Sequence, residues 1–300
     1  MHLPPTLLVT GAHGFVAGSV LRQVPAEWQV HAVSRSEPPA RSGSWQWHQC
    51  DTTSHAALTS LFERTRPTAV IHTAAVADID FCQSHQELAF QVNVELTRAL
   101  VQLCGQFNAR LVFCSTDTIF DGEHAPYAED SSPGPVNFYA ETKVQAEKVV
   151  ATLGPAAVVA RLSLVIGLPM LGAGNSFVSK VVGNLGAGRT VAVPREEIRT
   201  PIDIITAGRA LLELAAGTHT GIFHLAGNTS INRLDLTRAI ADQFSLPRDL
   251  VTDQVVSKAP SRAPRPRDVS LSNHKARSLL ATPMLHLAEA LDQVAQAARL

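Results

Sequence analysis

Only four cysteines occur in 300 residues (Cys50, Cys82, Cys104 and Cys114), and no two stand as a CxxC pair. That spacing offers neither a disulfide framework nor a structural zinc site, and free thiols in a reducing compartment are the economical reading. Aromatic residues are scarce at 5%, with two tyrosines and three tryptophans, so a tyrosine in a patterned position carries information. Charge of one sign is absent: 25 basic residues face 26 acidic ones, the net charge is −1 and the pI is near 6.9. A surface with no basic excess attracts neither nucleic acid nor an anionic membrane. No apolar run approaches the ~18 residues of a spanning helix, and the opening MHLPPTLLVTGAHG lacks a basic segment and an A-x-A site. The expectation is a soluble cytoplasmic protein. Its twelve histidines form no HxH, HxxxH or HExxH pair, so no metal site is expected. His72 and His224 read instead as hydrogen-bonded, half-buried residues. A GxSxG elbow is also missing, which removes the usual serine hydrolase.

What the chain has is apolar material, 45% of its residues against 17% charged, enough for a large core. Short apolar runs at 6–10, 29–34, 69–73, 110–115 and 156–162 alternate with helical patterns at 14–23, 54–64, 86–106 and 137–153. Strands with little polar alternation, separated by helices, predict a Rossmann-type α/β fold with a doubly wound parallel sheet covered on both faces. In 86–106 the residues Leu88, Val92, Leu96, Leu100 and Leu103 fall on one helical stripe. Beyond Gly167 the texture shifts to the Gly- and Pro-rich GLPMLGAGN, a helix pattern at 176–185, a strand–loop–helix reading of 191–214, a strand in GIFHLAG and a basic, proline-rich loop at 259–267. The division expected is a dinucleotide-binding domain over 1–165 and a smaller C-terminal lobe over 166–300 interleaved with it, with ligand in the crevice between them. Trp45 and Trp47 alternate as a strand would and read as packing the sheet edge.

The run TLLVT leads into Gly11-Ala-His-Gly14-Phe-Val-Ala17-Gly18 and then a helix. A pyrophosphate at a helix N-terminus needs bare backbone N–H groups, which residues without a β-carbon expose, and Gly11 and Gly14 stand at those places. Without the preceding strand the pattern would be only a tight turn; after the first strand of a βαβ unit it reads as a dinucleotide site. At the end of the second strand, where an NAD site places an acid, the chain has Ser34-Arg35. A guanidinium there grips a 2′-phosphate, so NADP is favoured over NAD, against the plain alternative of a solvated loop arginine. Asp51-Thr52 suits an adenine contact or, alone, a helix cap.

Tyr139 and Lys143 are four apart in NFYAETKVQAEKVV and share one helix face. A phenol near pKa 10 needs help to exchange protons at neutral pH, and an ammonium one turn away favours its ionised form. Leu111-Val-Phe-Cys-Ser115-Thr116-Asp117 ends a buried strand in hydroxyls at the ligand side of the sheet, where Thr116 suits donation to a carbonyl. Ser115 and Asp117 read as satisfying the loop backbone. Asn93 interrupts an apolar stripe, and a buried amide there needs partners: a water or a backbone carbonyl near Lys143.

TGAHGFVA, Asp51, HTAA, Asn93, CSTDTIFDG and YAETK together resemble, in order and spacing, the extended short-chain dehydrogenase/reductases. IHTAAVADIDFCQ, STDTIFDGEHAPYAEDSSPGPVNFYAETK and GIFHLAGNTSINRLDL are similar to the dTDP-4-dehydrorhamnose reductase branch, with which the regulatory β subunit of methionine adenosyltransferase is affiliated. The resemblance implies Thr116, Tyr139 and Lys143 as a catalytic triad with Asn93 as fourth member, Tyr139 giving its proton to a sugar keto oxygen. It implies Gly11, His13, Gly14, Phe15, Val16, Arg35, Asp51, Thr52, Ala74, Ala75 and Ala77 around NADPH, with Lys143 also binding its ribose. Arg265 falls where relatives set a cation against a nucleotide-sugar pyrophosphate, and a homodimer is implied by likeness alone. Departures lie on the substrate side. Thr118 replaces the tyrosine of STDYVF, and Arg161-Leu-Ser-Leu164-Val-Ile166 stands where the branch reads RTSWVY, which opens the pocket and removes aromatic surface. The implied function is an NADP-dependent reductase of a nucleotide-activated keto sugar. The alternatives are a cofactor-binding regulatory subunit without turnover, or a sugar-nucleotide epimerase.

Overall fold

Strands apolar on both faces must be covered on both faces, and that requirement organises the chain. The computed structural model describes residues 4–40, 43–172, 176–254 and 262–298. Six strands come first: β1 (Thr6–Thr10), β2 (Gln29–Ser34), β3 (Trp45–Gln49), β4 (Ala69–His72), β5 (Arg110–Thr116) and β6 (Ala157–Leu162). Between them run α1 (Phe15–Gln23), α2 (His55–Thr65), α3 (Ile79–Ser84), α4 (Gln86–Phe90), α5 (Leu96–Phe107) and α6 (Phe138–Ala151). After β6 come the short β7 (Val165–Ile166), then α7 (Phe177–Gly186), β8 (Val191–Val193), β9 (Ile198–Arg199), β10 (Ile202–Asp203) and α8 (Ile204–Ala216). The chain closes with β11 (Gly221–Leu225), β12 (Ile231–Asn232), α9 (Arg233–Gln243), β13 (Val251–Asp253), α10 (His274–Leu279) and α11 (Leu287–Ala297).

Seven strands form one parallel sheet in the order β11-β6-β5-β4-β1-β2-β3. The order reverses between β1 and β4, which opens a crevice at their carboxyl ends. Leu7, Val9, Ile71, Val112 and Val158 point to the face covered by α1 and α8, where Leu211 and Leu214 join them. Leu8, Val70, Leu111, Phe113 and Val159 point to the other face, against Leu58 and Phe62 of α2 and Leu100 and Leu103 of α5. Both α8 and β11 come from the second half of the chain, so that half returns to complete the sheet. Its remaining elements enclose a core of their own, with Val178, Leu185, Leu236, Ile240 and Leu291. Trp45 and Trp47 pack at the sheet edge.

The stripe read as one helix over 86–106 is interrupted. Gln91–Glu95 form a π-helical turn between α4 and α5. The extra residue per turn rotates the stripe, leaving Leu88 40% exposed while Val92, Leu96, Leu100 and Leu103 are buried. Of the basic loop, 259–261 lie outside the described residues, as do 173–175 of the glycine-rich segment and the last two residues of the final helical pattern.

His72 and His224 are more deeply placed than half-buried: both are fully enclosed. His72 Nδ1 lies 2.7 Å from Thr10 Oγ1 and its Nε2 3.1 Å from Thr97 Oγ1. Burial pushes both imidazoles down to about 3, from an ordinary value near 6.5. A histidine held neutral in the fold contributes stability that is complete above pH 6.5 and declines as the unfolded chain takes up protons below it. Urea unfolding at pH 7, 6 and 5 should therefore show stability falling by about 1 kcal/mol per pH unit for each of the two below pH 6. Replacing either with Gln should reduce that slope, and an unchanged slope in both variants would contradict this assignment.

Candidate active site

The crevice at the strand reversal is lined first by the turn after β1. Gly11 has φ +69°, and a β-carbon on it would stand 2.8 Å from the backbone of Ala74, so the turn closes directly on the segment that follows β4. Gly14 begins α1 with extended backbone and no side-chain cap, and the first turn holds no acid. Uncapped amides at a helix start suit a phosphate, so these residues fit the pyrophosphate of a dinucleotide. Phe15 faces Gly167, and Val16 packs on the sheet core. His13 Nε2 donates to the Glu37 carbonyl at 2.5 Å, and its ring meets Trp47 edge-on at 4.8 Å. The glycine turn is thus tied to the loop after β2, where Ser34 is half-buried and Arg35 exposed. Asp51 is exposed, and hydrogen bonds from the hydroxyl and amide of Thr53 hold its carboxyl below the usual range. Thr52 beside it is buried.

The second group stands at the end of β5. Asn137 caps α6, its side chain accepting from the Ala140 amide at 2.9 Å and donating to the Pro264 carbonyl at 3.0 Å. That cap sets Tyr139 in the first turn, buried against Cys82 and Ala89. Thr116 stands close enough to the Tyr139 phenol to act on its proton affinity, and its Oγ1 lies 3.1 Å from Thr118 Oγ1. Lys143 Nζ, one turn on, donates to the Cys114 carbonyl at 2.7 Å and sits 4.1 Å from the centroid of Phe113. Thr116, Tyr139 and Lys143 are therefore brought together.

Their electrostatics differ from the expectation that Lys143 holds the phenol acidic. Burial pushes Tyr139 upward, and the nearby Thr116 hydroxyl opposes this only in part. Lys143 is buried too, which lowers its ammonium to about 8, and its proton is directed at a backbone carbonyl. The physical reason is dehydration of both groups: each favours its neutral form when water is withdrawn.

Asn93 lies in the π-helical turn, 1% exposed. Its Oδ1 accepts from the Val76 amide at 2.8 Å, while Nδ2 donates to the Val76 carbonyl at 3.1 Å and to Thr142 Oγ1 at 2.9 Å. It holds a carbonyl, as its sequence context suggested, and locks the segment carrying Ala74, Ala75 and Ala77 onto α6.

The substrate-side residues are dispersed. Thr118 is buried beside Thr116, whereas Leu164 packs on the core of the C-terminal lobe. Arg265 makes a two-pronged ion pair with Asp80 of α3, at 2.6 and 2.8 Å. It lines a cavity of about 130 Å³ with Glu196, Glu197, Arg262 and Arg267. Asp117 does more than satisfy its loop: it accepts from Ser163 Oγ at 3.1 Å and faces Arg199 Nε at 3.7 Å, tying β5 to the lobe. Burial raises its carboxyl, and Arg199 opposes that. Ser115 Oγ is buried without a hydrogen-bond partner among the described residues, a polar atom at the crevice with bonding capacity to spare. Sequence reasoning missed Asp80, Arg199 and Glu147; only Glu147 had a signal, since it follows Lys143 by the four residues that separate Lys143 from Tyr139. Among the described residues no group of three His, Cys, Asp or Glu is placed to hold a metal ion, and no helix is long and apolar enough to cross a membrane.

The model of the RmlD substrate binding domain matches residues 5–300. The chain belongs to that family. With membership stand the expected extended short-chain dehydrogenase/reductase assignment and the oxidoreductase type. The probable low-salt glycan biosynthesis reductase Agl14 of Haloferax volcanii is 30% identical over 86% of this chain and 87% of its own. The dTDP-4-dehydrorhamnose reductase of Mycobacterium tuberculosis is 29% identical over 95% and 90%. The methionine adenosyltransferase 2 subunit beta of Bos taurus is 28% identical over 91% and 82%. A dTDP-4-dehydrorhamnose reductase from Bacillus anthracis, solved in complex with NADP, superposes with a TM-score of 0.86 at 20% identity over 97% of this chain and 98% of its own.

Replacing Asn93 with Ala strands the Val76 amide and carbonyl. It should reduce unfolding stability in urea by about 2 kcal/mol, because buried polar groups then lack partners. A loss below about 0.5 kcal/mol would mean the clamp carries little.

Proposed function

We propose that this protein reduces a keto group of a nucleotide-activated sugar with NADPH, Tyr139 giving the proton. The observation that carries the reading is the meeting of Thr116, Tyr139 and Lys143 at the end of β5, on the side of the sheet where the glycine turn of β1 opens. Bound NADPH supplies a hydride to the carbonyl carbon. The amides at the start of α1 take the pyrophosphate, and Arg35 takes the 2′-phosphate. Tyr139, held as the neutral phenol by burial, donates its proton to the keto oxygen. Thr116 orients the same oxygen by a second hydrogen bond. Lys143 stabilises the phenolate left behind, passes it a proton and regains one from solvent, which restores both groups. The sugar nucleotide lies between the sheet and the lobe of 166–300, with Arg265 released from Asp80 to meet its diphosphate. The smaller side chains Thr118 and Leu164 leave room for a sugar other than rhamnose.

A second reading, a cofactor-binding subunit without turnover, is favoured by one observation: Lys143 spends a proton on the Cys114 carbonyl at 2.7 Å. The likeness to the methionine adenosyltransferase subunit agrees with it. Oxidation of NADPH across a panel of 4-keto nucleotide sugars separates the two, since binding without oxidation of any of them sinks the reductase. With an active substrate, Tyr139→Phe should lower kcat by about 10²–10⁴-fold while NADPH binding stays within a few-fold.

NADPH should bind at least about tenfold more tightly than NADH, because Arg35 meets only the former with a phosphate. Fluorescence titration checks this, and Arg35→Ala should bring the two affinities together. Equal affinities in the unaltered protein would remove the role given to Arg35.

A further inference from the structure

The C-terminal half carries, on its side of the crevice, a guanidinium without a polar partner among the described residues. β12 pairs antiparallel with β9, Ile231 opposite Arg199 and Asn232 opposite Ile198. The Arg233 amide continues that ladder by donating to the Glu197 carbonyl at 2.9 Å. Arg233 therefore stands across from Glu197, and alternation along β9 puts Glu197 on the same face as Arg199. This face reaches the end of β5, since Arg199 Nε lies 3.7 Å from Asp117, the residue after Thr116.

The carboxylates that meet this face are already occupied. Glu197 accepts from Arg262 Nη2 at 2.6 Å, and Asp117 accepts from Ser163 while it faces Arg199. Arg199 also directs its amino groups to the carbonyls of Ile198, Pro266 and Arg267. Arg233 has no such outlet. Its Nε is enclosed without a hydrogen-bond partner among the described residues, and the Glu197 carboxylate across from it pairs with Arg262 instead. The rest of the chain contains no Asp or Glu that could supply a partner. What holds the side chain is Phe177 of α7, whose ring centroid lies 3.9 Å from the central carbon of the guanidinium. A guanidinium stacks through its face and hydrogen-bonds through its edge, so the stack orients the group and leaves N–H donors free. Burial lowers it to about 10, which leaves it charged at neutral pH. A dehydrated cation without a counter-ion costs stability, a cost expected where a ligand supplies the missing charge.

We propose that Arg233 is a substrate-binding residue that takes an oxygen of the diphosphate of a nucleotide-activated sugar. The identity of this ligand rests on the reductase reading above, whereas the need for an anion follows from the resting protein alone. Glu197 and Arg262, beside Arg233, also line the cavity that Arg265 enters, so the two arginines flank one region. A diphosphate is multiply charged and offers oxygens along its length, which suits more than one guanidinium. Arg265 has to leave Asp80 before it can act, and Arg233 has no pair to break.

Calorimetric titration of the full chain, with NADPH present to fill the glycine turn, tests this with UDP, dTDP and inorganic pyrophosphate. Arg233→Gln should weaken binding of both nucleoside diphosphates by about tenfold or more, and Arg233→Lys, which keeps the charge, should recover part of the loss. Because the substitution strands no partner, urea unfolding of Arg233→Gln should show stability equal to or above that of the unaltered chain. A structural role would give the opposite pattern, lower stability with unmoved affinity. If Arg233→Gln does not fold, Arg233→Met, which keeps an unbranched chain against Phe177, takes its place, and failure of both to fold overturns the proposal. A folded variant that binds UDP and dTDP as tightly as the unaltered protein also overturns it and leaves the sugar-nucleotide reading standing. Pyrophosphate binding that depends on Arg233, with neither nucleotide bound, supports the anion site and discards the sugar nucleotide as its ligand. Binding of none of the three to the unaltered protein discards both.

Discussion

A lysine ammonium with 3% of its surface exposed must find fixed partners, and the arrangement of the crevice follows from how Lys143 finds them. It donates to the Cys114 carbonyl, which ties α6 to the last residues of β5, and it lies over the Phe113 ring, which belongs to the same strand. Those contacts bring the start of α6 to the end of β5, so that Tyr139 and Thr116 meet. The Asn137 cap and its bond to Pro264 then fix where the helix begins. A helix anchored at both its cap and its second turn has little freedom to move Tyr139.

The sheet supplies the other half of the geometry. Reversal of strand order at β1 and β4 leaves two chain segments leaving the sheet in divergent directions, and the crevice lies between them. The glycine turn closes on Ala74, and Asn93 holds Val76 two residues later. The glycine-turn side of the crevice and α6 are thus coupled through one buried amide, which also reaches Thr142 on α6. The π-helical turn provides the room: an uninterrupted α-helix would rotate Asn93 along a different stripe.

Ion pairs add to the apolar contacts between the two halves of the chain, where Ile119, Phe120 and Tyr127 pack with Ala226, Val269 and Leu271. Asp117 faces Arg199 and Arg265 holds Asp80, while within the C-terminal half Arg262 donates to Glu197 at 2.6 Å. Pairs of this kind are directional and break when one partner is offered a better one, unlike an apolar seam. They suit a boundary at which an anionic ligand is to be received.

Local pattern determined much of this. The all-apolar strands, the glycine turn, the Tyr139–Lys143 spacing and the cap at Asn137 are properties of neighbours in the chain, and neighbours are what a sequence displays. Tertiary structure decided the rest. That Lys143 points at Cys114, that Tyr139 is raised and not lowered, that Asn93 grips Val76 and that Arg265 is occupied by Asp80 all depend on residues up to 185 positions apart. Burial is the common reason: dehydration governs the charge of a side chain, and which side chains lose their water is known only once the helices have closed over the sheet. The broken helix at Gln91–Glu95 shows the same limit, since its apolar stripe agreed with one straight helix until the buried amide required a partner across the crevice.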